Sequence, residues 1–210
     1  MLRSIFVRLP AKAGLHDEII RVSIEIGGES GEDGLTMRAI ASRLGMSSTG
    51  IYQHFDSKAS ILREVRFHGV RMLLEVLQAA MHHDDVATRV REMSLAYLRF
   101  AGANRWLYGL LFDEPELDWH TMTPEDVARA RGPIDAARAT FVEGARQGSL
   151  RDDVDPQEAA LPVWASLHGA ASLLLSGRLS STHPIFPVTD LDRFSEMFVA
   201  GLMRSIEPQR

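Results

Sequence analysis

Cysteine is missing from the 210-residue chain. That absence removes a disulfide framework, a thiolate metal site and a cysteine nucleophile, and it fits a reducing compartment. No apolar run comes near the ~20 residues that cross a bilayer. The early Ile5-Phe6-Val7 is too short for a secretory signal core. A cytoplasmic location and no membrane partner are therefore expected. Alternation of apolar and polar residues over strand length is also lacking, as is any internal repeat. A strongly basic balance, the usual mark of a nucleic-acid binder, is absent too: the net charge is −5. Its distribution is uneven, with residues 1–71 at +2 and the remainder at −7. Only the N-terminal part suits a phosphate neighbour.

What remains is helical periodicity in an ordinary globular composition, 45% apolar and 24% charged. Leu15, Ile19, Val22 and Ile26 mark a first helix that should end at Gly27-Gly28. Thr36 caps a second, with Met37, Ile40, Ala41 and Leu44 as its buried stripe and Gly45 closing it. Ser47 or Ser48 caps a third that ends near Phe55, and Ser57 caps a fourth running as far as about Met81. Asp84 or Asp85, Asn104, Thr123 and Asp155 open the next four, with Pro124 and Pro156 at first-turn positions. Thr189 with Asp192 resembles a capping box for the last. The expectation is an all-α chain of about nine helices: an arm over 1–13, a three-helix domain over 14–60, and a helical bundle over 61–210.

The segment from Gly34 to Arg63, GLTMRAIASRLGMSSTGIYQHFDSKASILR, carries the most information. Two short apolar-periodic pieces flank a glycine-containing turn, the pattern of a helix-turn-helix that lays its second helix in a DNA groove. Ile51 and Phe55 share the inward face. Ser48, Thr49, Tyr52 and Gln53 are left outward, where hydroxyls and an amide suit base edges and phosphates. Gly50 lets backbone approach the duplex. His54 closes the segment, Lys58 opens the next helix within reach of a phosphate, and Thr36 starts an anion-accepting helix end.

Leu35-Thr36, Arg38, Ile40-Ala41, Leu44-Gly45, Ser47, Tyr52, His54-Phe55 and Lys58 together make this stretch resemble the DNA-binding domain of the tetracycline-repressor (TetR) family of bacterial transcription regulators. The resemblance implies an all-helical homodimer whose first three helices bind operator DNA while the rest bind a small molecule and dimerise. It implies phosphate contacts from Tyr52, His54 and Lys58 and base contacts from Thr49 and Gln53. Many members carry a small residue and then Thr where this chain reads Thr49-Gly50, so base readout should differ. The segment VWASLHG, residues 163–169, resembles the Trp-His-Gly signature of one subclass of TetR C-terminal domains.

In the C-terminal part, Leu161, Trp164, His168, Ala171 and Leu175 step by three and four, a seam suited to a helix packed at a shallow angle. Phe194 and Phe198 continue it in the last helix. This seam reads either as internal core or as a four-helix dimer interface. Met93, Tyr97, Phe100, Trp106 and Phe112, with Trp119 and His168, are candidates for a largely apolar effector cavity. The run from Met81 to Asp85 contains metal-ligand types that diverge on adjacent positions, and the acids of 113–118 have no nucleophile beside them. No metal, cofactor or enzymatic activity is expected. The arm residues Arg3, Arg8 and Lys12 read either as a tail or as contacts that follow the DNA backbone or enter a minor groove.

Overall fold

A computed structural model describes residues 14–112 and 122–208. The arm, Trp119 and the acidic run 113–118 lie outside the described residues. Among the described residues there are ten helices and no strand, apart from one isolated bridge between Ser180 and Pro187. They are α1 Leu15–Gly34, α2 Met37–Leu44, α3 Ser48–Tyr52, α4 Lys58–Gln78, α5 Val86–Ala103, α6 Arg105–Phe112, α7 Pro124–Ala130, α8 Gly132–Arg146, α9 Ala160–Leu175 and α10 Leu191–Arg204. No described helix is long and apolar enough to cross a membrane.

Local capping chemistry sets most helix starts. Thr36 Oγ1 accepts from the Ala39 amide at 3.0 Å, and Ser47 Oγ accepts from Gly50 at 3.3 Å. Ser57 and Ser60 satisfy each other's amides at the head of α4. Asp85 takes the Thr88 amide at 2.8 Å, and Thr123 and Asp126 form a reciprocal box before α7. Each such cap stabilises its helix by about 1 kcal/mol.

The differences from the sequence reading have identifiable causes. Helix α1 does not stop at Gly27-Gly28; it continues to Gly34 with a kink at Gly31, φ 69°. Gly27 is there for space: a methyl group on it would stand 2.3 Å from the Trp106 ring of α6. The single long helix expected after Thr123 is two, because Pro133 has no amide to bond back to the Arg129 carbonyl and its ring crowds that carbonyl, so a new helix starts at Gly132 with the proline in its first turn. Asp155 holds only a turn, accepting from the Gln157 amide at 2.8 Å, and α9 begins at Ala160. Asp190, not Thr189, caps α10. Helix α3 ends at Tyr52, so Gln53 and His54 sit in the turn that follows.

By compactness the chain divides into two units, residues 1–72 with 103–130, and residues 73–102 with 131–210. In the first, Ile19, Val22 and Ile26 of α1 and Ile40, Ile51, Phe55, Ile61 and Val65 are buried. Side chains of this size stabilise by about 1.5–3 kcal/mol each when buried. Helix α7 is tied to α4 by charge: Arg63 pairs with Asp126, and Arg129 grips Glu64 at 3.1 and 2.7 Å. Both guanidiniums also lie over the Phe67 ring, at 5.3 and 3.9 Å. The second unit is built on Val86, Val90, Leu95 and Ala101 of α5, Phe141 of α8, Val163, Leu167 and Ala170 of α9, and Val199 of α10.

Candidate nucleic-acid interface

The turn between α2 and α3 is closed by Gly45 at φ 66°, a left-handed position that a side chain would strain. It aims α3 so that Ile51 faces inward and is fully buried, while Tyr52 stands 54% exposed. Thr49, Gln53 and His54 are exposed as well, and Ser48 and Gly50 are half-buried. Phe55 is core, stacked on His16 at 4.6 Å. Of the set read as outward from the sequence, Thr49, Tyr52 and Gln53 are exposed and Ser48 is half-buried.

Residues from four segments converge on one notch. Leu35, Thr36, Met37, Arg38, Ser48, Tyr52 and Lys58 line an open groove of about 400 Å³. Leu35 and Met37 form an apolar floor; hydroxyls of Thr36, Ser48 and Tyr52 and the cations Arg38 and Lys58 supply polar groups. The first-turn amides of α2 point out of the helix end beside Thr36, so the positive end of its dipole adds to the two cations. Hydroxyls and cations of this kind are the groups that contact a nucleic-acid backbone.

Lys58 is held, not free. Its Nζ donates to the Glu32 carbonyl at 2.7 Å and lies 3.3 Å from the Glu32 carboxylate. Three residues earlier on α1, Glu29 takes Arg43 of α2 in a two-pronged pair at 3.3 and 2.7 Å. That pairing holds the Glu29 carboxyl below its usual range. Neither glutamate was singled out from the sequence. The partners are 14 and 26 positions apart, so no helical spacing announces them.

The candidates for an effector cavity are divided between the units. Met93, Tyr97 and Phe100 are buried on α5 of the second unit, and Thr140 of α8 donates to the Met93 sulfur at 3.7 Å. His168 stacks on Trp164 at 5.3 Å in α9. Trp106 and Phe112 belong to α6 of the first unit; Phe112 pairs with the buried Tyr108, ring centroids 4.8 Å apart. Trp106 is half-buried, and its ring fills the space left by the absent side chain of Gly27. Of the residues expected at a pairing face, Ala171 is fully buried. Leu161 is 50% exposed, and Trp164, Leu175, Phe194 and Phe198 are half-buried.

Residues 19–65 match the family model of bacterial regulatory proteins of the tetR family, and residues 90–202 match that of the tetracyclin repressor-like C-terminal domain. The chain belongs to the TetR family. The second match takes in the segment 163–169. An uncharacterised HTH-type transcriptional regulator of Mycobacterium tuberculosis is 26% identical over 191 residues, which cover 88% of this chain and 81% of the relative. Among solved structures, a Rhodococcus sp. RHA1 protein of unknown function superposes with a TM-score of 0.79 at 21% identity, covering 94% of this chain and 97% of that one. The fatty acid degradation regulator FadR of Bacillus halodurans gives 0.69 at 15%, covering 92% and 97%. This TetR-family chain is thus a DNA-binding transcriptional regulator with an N-terminal helix-turn-helix.

Proposed function

We propose that this regulator is a homodimeric repressor, held on a palindromic operator by two copies of the notch and released by a largely apolar small molecule. Residues 14–60 read DNA; residues 61–210 pair the subunits and take the effector. The observation that carries the reading is the convergence of Thr36, Arg38, Ser48, Tyr52 and Lys58 on one open groove beside the exposed face of α3. Within that frame, Tyr52, Lys58 and His54 meet phosphates, Thr36 and Ser47 anchor the helix ends against the backbone, and Thr49 and Gln53 reach base edges. One short helix buries little surface. Two heads about 34–36 Å apart meet successive major grooves and give affinity that one cannot.

The pairing face we assign combines Leu161 with Trp164, Leu175, Phe194 and Phe198. Leu173 and Met197, 40% and 64% exposed, lie on the same two helices, and Gly169 leaves open space for a close helix approach. An apolar effector fits the buried Met93, Tyr97 and Phe100 of α5, and the FadR neighbour is named for fatty acid degradation. A tenfold release from operator requires a coupling of about 1.4 kcal/mol, which one buried ligand supplies.

The test is fluorescence anisotropy on duplexes selected from a random library. Tyr52→Ala and Lys58→Ala should weaken binding about equally on every duplex, whereas Gln53→Ala should change which duplex is preferred. Unchanged affinity in both of the first two variants removes the notch from the interface.

A further inference from the structure

Glu32 takes up the ammonium of Lys58, one of the two cations that line the groove. The left-handed kink at Gly31 ends the straight run of α1 and turns the next residues toward α4. The Glu32 carbonyl then accepts from the Leu35 amide at 3.1 Å and from Lys58 Nζ at 2.7 Å, while its carboxylate lies 3.3 Å from the same ammonium. The two acceptors have different consequences. The carbonyl is neutral and fixes the ammonium of a residue that lines the notch. The carboxylate neutralises the charge on which a phosphate would rely. Lys58 and Glu32 side chains are 36% and 31% exposed, so the pair meets solvent and can exchange.

We propose that Glu32 is an intramolecular stand-in for the phosphate, a residue that sets the operator affinity and salt sensitivity of this regulator by competing for Lys58. The inference rests on the reading of the notch as a DNA contact. When a phosphate takes Lys58, the Glu32 carboxylate loses its cation and recruits one from solution. The exchange therefore releases one counterion fewer than a free lysine would. Removing the carboxylate while keeping the carbonyl anchor should leave Lys58 in place with its charge available.

The experiment measures binding of full-length protein to a labelled mixed-sequence duplex of about 30 base pairs, between about 50 and 200 mM KCl. Glu32→Gln should bind more tightly than the parent by about two- to fivefold per head, the range an exposed ion pair supports. Its plot of log affinity against log salt should be steeper by about 0.9 per head, or about 1.8 per dimer. In a Lys58→Met background the same substitution should change neither quantity. Glu32→Ala, measured alongside with a thermal melt, guards against one variant failing to fold. Equal or weaker binding by both Glu32 variants overturns the inference, as does a gain that persists without Lys58, which would mark a long-range charge effect. A parent protein with no duplex affinity at any salt would instead remove the DNA reading itself.

Discussion

The contact between Gly27 and Trp106 joins α1, which supports the recognition helices, to α6, and it can be tested by adding one carbon. In Gly27→Ala the new methyl would meet three ring carbons of Trp106 at 2.3–2.4 Å. Carbon atoms do not approach so closely, so the indole must swing away or α1 must shift. Overpacking of this kind costs about 1–3 kcal/mol. The substitution also removes a helix-interior glycine, which by itself stabilises by about 1 kcal/mol. The net expectation is a loss of up to about 2 kcal/mol, and for a chain of this size each kcal/mol lowers Tm by about 2–4 °C. In a Trp106→Ala background the clash is gone and Gly27→Ala should become stabilising by about 1 kcal/mol. The coupling across the double-mutant cycle is thus about 1–3 kcal/mol, read by urea denaturation followed by far-UV circular dichroism. If Gly27→Ala shifts stability by the same amount in both backgrounds, the indole does not rest on α1 and the account of why the helix runs through two glycines is wrong.

Other outcomes follow from the same geometry. Burial, with the Arg71 guanidinium 2.7 Å away, pushes the His68 imidazole down to about 4, below the ~6.5 of an exposed histidine. The unfolded chain then binds more protons than the folded one between those values, so stability should fall as pH drops from about 6.5 toward 4. His68→Gln should flatten that part of a denaturation profile, and an unchanged slope would place the effect elsewhere. Thr36→Ala should lose about 1 kcal/mol of stability through the missing cap, together with some operator affinity. Leu161→Glu, at a half-exposed position, should leave the melting of an isolated subunit unchanged yet shift sedimentation from dimer toward monomer; a dimer of undiminished strength would place the pairing face elsewhere. Any apolar compound that raises Tm and weakens operator binding should itself bind more weakly in the presence of operator, by the same factor, and unequal factors would break the linkage.

The helix starts were legible because capping is local: Thr36, Ser47, Ser57, Asp85 and Thr123 each act on an amide about three positions on. The inward and outward faces of α3 were legible for a similar reason, since helical periodicity separates Ile51 from Tyr52. What could not be read depended on distant partners. Gly27 looks like a stop until the Trp106 ring is known to need its space. Ala171 follows the spacing of the half-exposed seam but is fully buried. The Lys58–Glu32 pair joins two helices across 26 positions, with a kink that delivers it, and no periodicity encodes such a contact.

Hydroxyl-radical footprinting on a duplex recovered by selection puts the matter most directly. Two protected patches on one face, about one helical turn apart and both lost in Lys58→Ala, are what paired notches require. A single patch, or protection indifferent to Lys58, would contradict a dimer that holds DNA through the groove between α2, α3 and α4.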